Sequence, residues 1–184
     1  AIAKICAHQL ADAPLPLRLC YANKVVRIER AFTREQIESY QLGVELIGVE
    51  GPGPEIEVIL VAIETLERIG ILDFEVHIGN AALVDHLIGR TGAPGSHRDA
   101  LSQAIGNRDG HTVAELLDAL GCRPAISGAL LALTELRFDA SSIDRLAAEL
   151  PKDDMLATTI SDLRQRLEVL ESLGLAERVY VDLG

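Results

Sequence analysis

The sequence predicts an α+β protein, in which an antiparallel sheet with covering helices is followed by a small all-helical block. Three observations predict this class. Residues 25–48 alternate polar and apolar side chains on two strand-like segments, which is typical of a β-hairpin. Residues 54–69 carry apolar side chains at helical spacing. From residue 81 the helical spacing continues but is interrupted by glycines, so we expect several short helices there.

Composition restricts the functions that the chain can have. Of its 184 residues, 48% are hydrophobic and 24% are charged, which indicates a globular protein. The net charge of −11 argues against nucleic acid as the main partner, because phosphate binding needs a basic surface. We find no stretch of roughly 20 apolar residues that would span a membrane and no signal peptide. Cys6, Cys20 and Cys122 lack C-x-x-C spacing, which favours reduced, buried thiols in a cytoplasmic protein.

The first elements can be placed by local signals. Residues 1–11 have a helical stripe, and residues 12–16 form a turn because their two prolines cannot continue a helix. We predict a short strand over residues 17–21 and a break at Ala22 and Asn23. The hairpin of residues 25–48 then begins.

The segment GPGP at residues 51–54 is predicted to be a turn. Its prolines remove N–H donors that a phosphate-binding loop would need. Pro54 then opens a helix, and Gly70 ends it. Residues 74–78 are predicted to be a third strand, which joins the hairpin and its covering helix in one antiparallel layer.

The second half of the chain is predicted to be helical. The breaker cluster at residues 89–95 marks the best boundary, so we divide the chain into a sheet-containing core (1–88), a helical insertion (89–173) and a strand that returns to the core (174–184). The predicted helices are 81–88, 97–105, 112–120, 124–136, 142–150 and 153–173, the last with a stripe of Leu156, Ile160, Leu163, Leu167 and Leu170.

Alternation gives the hairpin one polar face and one apolar face. Gln41, Gly43 and Glu45 share a face on the second strand, and Arg27 and Glu29 share one on the first. If the strands pair, these side chains form a polar floor, and Gly43 leaves room for a ligand above it. The alternative is a solvated face with weak surface ion pairs. The opposite face is expected to pack a core, with Val26, Ile28, Leu42, Val44 and Leu46.

The pattern R-x-E, a loop, then Q-x-G-V-E-x-x-G resembles the second signature motif of class II aminoacyl-tRNA synthetases in its histidyl form. It resembles still more closely the regulatory subunits of ATP phosphoribosyltransferase, the catalytically silent relatives of that enzyme. The resemblance runs from Leu15 to Asn80, through PLRLCYANKVVRIER and PEIEVILVAIETLERIGILDFEVHIGN. The helical block is similar to the insertion between the second and third motifs. The chain therefore resembles the central part of a longer protein.

The resemblance implies a role for each polar residue of the hairpin. Gln41 is expected to face the α-ammonium of bound histidine, Glu45 the imidazole, and Arg27 a carboxylate or phosphate. Glu29 would orient Arg27, and Gly43 would support the site. A buried Glu45 needs a donor, because an uncompensated charge costs several kcal/mol. The alternative is that Glu45 simply pairs with Arg27.

The loop between the strands bears on catalysis. In the synthetases this loop supplies a basic residue to the ATP phosphates, and the matching position here is Glu35, with Arg34 one place earlier. A carboxylate facing a phosphate is repelled by about 4 kcal/mol at about 4 Å, for an effective dielectric near 20. Either the loop shifts to use Arg34, or ATP activation has been lost; we favour the loss.

The resemblance then implies a cytoplasmic regulator of histidine biosynthesis without catalytic residues. It would bind histidine and the short catalytic subunit of ATP phosphoribosyltransferase, as a homodimer within a hetero-oligomer. The alternative is part of an active histidyl-tRNA synthetase. The histidines are scattered without metal-ligand spacing, so we assign no metal and no cofactor; they are His8, His77, His86, His97 and His111.

Overall fold

The computed structural model describes residues 2–28, 36–135 and 137–183, and it divides the chain into two units, residues 1–71 and 72–184. Within the described ranges, the first unit contains two helices and a hairpin. The second contains six helices and three short strands within the same ranges. The predicted boundaries at residues 88 and 173 do not coincide with this division, because residues 72–88 belong to the same unit as the helical block. Helices and antiparallel pairing in one chain agree with the predicted α+β class.

The first unit is built on a long antiparallel hairpin. Its elements are α1 (Ile2–Gln9), β1 (Leu17–Ile28), β2 (Gln36–Ile47) and α2 (Pro52–Arg68). The predicted break at Ala22 and Asn23 is wrong. Those residues pair with Leu42 and Gln41, so the hydrogen-bonded ladder continues through both.

The two faces of the hairpin differ from expectation. Leu42 is 66% exposed, Val26 is 53% exposed and Val44 is 37% exposed, although we expected all three in a core. The buried hydrophobic residues described in the first unit are Ile56 and Ile63, both on α2. A sheet face is buried only when a second layer covers it. Helix α2 meets this face at its end, near Arg18, and the described part of this unit leaves Val26, Leu42 and Val44 exposed.

Helix α2 begins earlier than predicted. It starts at Pro52 rather than Pro54, and Gly51 is its N-cap with a φ of 108°. Proline is tolerated there because the first N–H groups of a helix have no intrahelical partner. Arg18 of β1 donates from Nε and Nη2 to the Glu57 carboxylate of α2, at 2.6 and 2.9 Å. This hydrogen bonding lowers the pKa of Glu57.

The second unit contains most of the buried core. Its helices pack apolar faces together, and the predicted stripe of α8 is buried at all five of its positions, Leu156, Ile160, Leu163, Leu167 and Leu170. The predicted helices are confirmed to within a few residues. They are α3 (Ala81–Gly89), α4 (Gly95–Gly106), α5 (Gly110–Ala119), α6 (Pro124–Glu135), α7 (Ile143–Glu149) and α8 (Asp154–Ser172).

The strands of the second unit form their own sheet, in the order β3-β5-β4. These are β3 (Val76–Ile78), β4 (Arg137–Phe138) and β5 (Val179–Asp182). β3 is parallel to β5, and β4 is antiparallel to it. The prediction that the third strand pairs in the hairpin layer is therefore wrong. A parallel pair needs a long crossover connection, and the helical block supplies it.

Charged side chains connect these three strands. Asp182, 11% exposed, accepts from Nδ1 of His77 at 2.7 Å and from Arg108. Nε2 of the same histidine lies 3.1 Å from Glu75, which also accepts from Arg137 at 2.8 Å. The hydrogen bond from His77 lowers the pKa of Glu75. His77 therefore belongs to a network of charged side chains and is not an isolated surface residue.

We expect Asp182→Ala to destabilise the second unit by about 2–4 kcal/mol, because Arg108 and His77 lose a largely buried counterion. Urea unfolding followed by circular dichroism measures the change. The matched control is Asp144→Ala, which removes a carboxylate that is 76% exposed and paired with Arg164; an exposed pair contributes less than about 1 kcal/mol. Equal losses for the two variants would contradict a structural role for the network.

Candidate functional site

The polar residues of β2 lie on the sheltered face of the hairpin. Gln41, Gly43 and Glu45 occupy alternate positions and are half-buried, whereas Leu42 and Val44 between them are exposed. Their partners across the ladder are Asn23, Tyr21 and Leu19, in that order. Directly opposite residues share a face, so the polar residues stand beside the side chains of these partners.

Tyr21 contacts two of these positions. Nε2 of Gln41 donates to the Tyr21 hydroxyl oxygen at 3.0 Å in a partly buried hydrogen bond. The ring of Tyr21 lies over Gly43, where a methyl group would overlap its Cζ and hydroxyl atoms. We expected the space above Gly43 to be open for a ligand. That expectation is corrected: within the described chain the tyrosine ring fills it.

Glu45 is a half-buried carboxylate beside an apolar partner, Leu19. Among the residues that the structure describes, we find no hydrogen bond or ion pair to its side chain. A sheltered carboxylate without a donor loses hydration, and none of the described residues replaces it. This arrangement is chemically suited to a ligand that brings an N–H group.

Arg27 stands far from Glu45 along the hairpin. Its backbone pairs with Ile37, whereas Glu45 pairs with Leu19, eight residues earlier on β1. At about 3.3 Å per residue, that separation is roughly 26 Å along the strand. A direct ion pair between Arg27 and Glu45 does not fit this register. The side chain of Arg27 lies outside the described structure.

Three further residues of the predicted site also lie outside the described residues. These are Glu29, Arg34 and Glu35, so the predictions about the orientation of Arg27 and about the nucleotide loop stay predictions. Among the described residues, no group of three or more His, Cys, Asp or Glu side chains could hold a metal ion.

The polar cluster around Asp153 has a structural role. Asp153 is the N-cap of α8, accepts from the backbone of Met155 and Leu156, and also binds His86 at 3.1 Å and Arg90 at 3.0 Å. The hydrogen bond from His86 is the main cause that lowers the pKa of Asp153.

The cysteines correct another expectation. Cys6, Cys20 and Cys122 are free thiols, as predicted, but Cys20 is exposed and the other two are half-buried. Burial of Cys122 raises the pKa of its thiol. Within the described ranges, no helix combines the length and the apolar character that crossing a bilayer requires.

Tyr21 is the site residue that sequence reasoning missed. It lies at the end of the predicted short strand 17–21, which the predicted break at Ala22 and Asn23 separates from the hairpin. Once β1 is one continuous strand, Tyr21 falls opposite Gly43. A tyrosine facing a glycine across two strands is the signal that would have found it, because aromatic rings cover glycines in this way.

Comparison with known proteins adds to this geometry. The family model described as "Histidyl-tRNA synthetase" matches residues 1–184. An ATP phosphoribosyltransferase regulatory subunit from Syntrophotalea carbinolica is 36% identical over 183 residues, covering 100% of this chain and 42% of the relative. One from Desulforamulus reducens is 33% identical, with 100% and 45% covered. The chain thus spans less than half the length of these curated relatives.

Solved structures agree with the fold. An ATP phosphoribosyltransferase regulatory subunit/histidyl-tRNA synthetase from Bacillus halodurans has a TM-score of 0.86 at 30% identity, covering 99% of this chain and 47% of that one. The ATP phosphoribosyl transferase (HisG:HisZ) complex from Thermotoga maritima has a TM-score of 0.74 at 17% identity, covering 99% and 62%. At that identity the second likeness supports the fold alone.

The match over residues 1–184 and the α+β architecture lead to one conclusion. The chain belongs to the histidyl-tRNA synthetase family, and curated relatives that cover its whole length are regulatory subunits of ATP phosphoribosyltransferase.

Proposed function

We propose that this chain is part of a non-catalytic regulatory subunit of ATP phosphoribosyltransferase, which binds histidine and the short catalytic subunit in the cytoplasm. The observation that carries the proposal is the pair Gln41 and Glu45, half-buried on one hairpin face. The names of the curated relatives support the choice of partner and pathway.

The spacing of the pair suits an amino acid. Gln41 and Glu45 are four residues apart on β2, which is roughly 13 Å along the strand. Two hydrogen bonds of about 2.9 Å each occupy roughly 6 Å of that length. The gap that is left, roughly 7 Å, is comparable to the distance between the ammonium and the far ring nitrogen of histidine.

The chemistry of the pair matches the two ends of that ligand. The carboxylate of Glu45 accepts from an imidazole N–H, and the carbonyl oxygen of Gln41 accepts from the α-ammonium. Both would be charge-assisted hydrogen bonds, which are stronger than neutral ones. Arg27 lies nearer the loop end of β1. Its proposed role is to bind the α-carboxylate of histidine, or a phosphate that lies beyond that carboxylate.

Regulation requires that histidine binding be coupled to the catalytic partner. Such coupling is typically about 1–3 kcal/mol, or about 5- to 150-fold in affinity. The coupling is reciprocal: histidine changes the affinity for the catalytic subunit by the factor by which that subunit changes the affinity for histidine.

In the full-length protein, Glu45→Gln should weaken histidine binding about 10-fold, or about 1.4 kcal/mol, because the neutral amide oxygen accepts from the imidazole N–H without the charge assistance of a carboxylate. Isothermal titration calorimetry measures the affinity. Glu38→Gln is the matched control on the same strand, since Glu38 is 64% exposed and its salt-bridge partner is Lys24, 3.6 Å away. If the Glu45 variant keeps the affinity of the native protein, Glu45 is not in the site.

We expect the full-length protein to raise phosphoribosyl transfer when it is mixed with the short catalytic subunit, and added histidine to change that rate. A titration at fixed catalytic subunit, with and without histidine, measures both effects. A rate that does not respond to the added protein at any ratio would count decisively against the regulatory function.

The alternative function is an active histidyl-tRNA synthetase, which is the name of the matching family model. The net charge of −11 opposes tRNA binding, and Glu35 stands at the position of the synthetase loop arginine. We expect no histidine-dependent ATP–pyrophosphate exchange by the full-length protein. Exchange above the rate without histidine would favour the synthetase over the regulator.

A further inference from the structure

We infer that Tyr21 is a positioning residue of the proposed histidine site, and that it fixes the orientation of the Gln41 amide. The inference rests on the proposed function, because the ligand it serves is the histidine of that site. Tyr21 itself would not need to bond the ammonium. Its role is to hold the NH₂ end of the Gln41 side chain, as in the hydrogen bond that the structure has, so that the carbonyl end is left for the ligand.

The orientation matters because the two ends of an amide are opposites. The NH₂ end donates and the carbonyl end accepts. An ammonium group carries only donors, so it binds the carbonyl oxygen and is repelled by the NH₂ end. In the structure Nε2 of Gln41 donates to the Tyr21 hydroxyl at 3.0 Å. With its nitrogen held there, the amide keeps Oε1 as the acceptor for a ligand.

The position of the tyrosine depends in turn on Gly43. The ring lies over this glycine, directly across the ladder, in space that any side chain at residue 43 would occupy. Gly43 has no positive φ, so the backbone does not require a glycine here. The glycine matters because it has no side chain, which leaves space for the tyrosine ring. Gly43, Tyr21 and Gln41 therefore form one linked unit.

The surroundings strengthen this unit. Tyr21 and Gln41 are both half-buried, and their hydrogen bond is partly buried. Partial exclusion of water reduces the competition for the amide, so the phenol restricts it more than it would on an open surface.

The experiment compares two ligands in the full-length protein by isothermal titration calorimetry. L-histidine carries the α-ammonium, and imidazolepropionate lacks it. For Tyr21→Phe, which removes only the hydroxyl, we expect histidine affinity to fall about 5-fold and imidazolepropionate affinity to change less than about 2-fold. A loss of general packing would weaken both ligands alike, so the ratio separates the two roles.

A double-mutant cycle tests whether Tyr21 acts through Gln41. Gln41→Ala alone should weaken histidine binding at least as much as Tyr21→Phe does. In the Gln41→Ala background, the tyrosine substitution should cause no further loss. If the two losses multiply instead, Tyr21 acts independently of the amide and the inference is overturned.

Gly43→Ala provides a second route that deletes neither polar group. The added methyl displaces the ring, so this variant should reproduce the selective loss of Tyr21→Phe. The matched control is Gly53→Ala in α2, where a methyl group meets nothing within 4 Å, and it should leave both affinities unchanged. Thermal unfolding confirms that each variant remains folded.

The outcomes distinguish the inference from the proposed function. Native protein that binds histidine, with a Tyr21→Phe variant of unchanged affinity or of equal loss for both ligands, overturns the positioning role alone. Native protein that does not bind histidine overturns the proposed site and the inference with it. If Tyr21→Phe weakens histidine binding selectively, and this loss vanishes in the Gln41→Ala background, the result supports both the positioning role and the proposed histidine site.

Discussion

The backbone register of the β1–β2 hairpin is the constraint on which the candidate site depends. Side chains alternate along a strand, so a slip of one residue would exchange the two faces and turn Gln41 and Glu45 to the exposed side. The pairing of Tyr21 with Gly43 opposes such a slip. Moved by one residue, the ring would stand opposite Leu42 or Val44, whose side chain would then occupy the space that Gly43 leaves for it. The contact that orients the amide thus also helps to set the register.

The carboxylates of the chain fall into two groups with different surroundings. Asp182 and Asp153 each bind a histidine and an arginine from other elements of their unit, and their charges are compensated within the protein. Their roles are to join strands and to cap a helix. Glu45 is sheltered without such partners among the described residues. This contrast, more than burial alone, is the reason that we propose a binding role for Glu45 and a structural role for the other two.

Local sequence patterns predicted the individual helices correctly. They failed for features that depend on residues far apart in the chain, such as the pairing of strands. The stripe of α8 needs only its own sequence, and it is buried at every predicted position. The partner of Val76–Ile78 is β5, about a hundred residues later, and no local signal identifies it. The two-residue strand Arg137–Phe138 is too short to show alternation. The cap of α5 is Asp109, whose carboxylate accepts from the backbone N–H of Thr112.

The same distinction applies to the site. Alternation placed Gln41, Gly43 and Glu45 at alternate positions of one strand, and the structure has them there. It could not show that Tyr21 lies opposite the glycine, because that requires the exact pairing of two strands. It also assigned the aliphatic side chains to a core on chemical type alone. Whether such a face is buried depends on which layers surround it, and periodicity carries no information about those layers.

The uncovered aliphatic face has a practical consequence for handling this chain. Val26, Leu42 and Val44 lie on a two-stranded ribbon whose outer edges have no partner strand in the described sheet. Unpaired N–H and C=O groups beside exposed aliphatic side chains recruit further strands from neighbouring molecules. Residues 1–184 expressed by themselves at high concentration are therefore prone to edge-to-edge aggregation, and lysine substitutions on that ribbon are the direct means of keeping them dispersed.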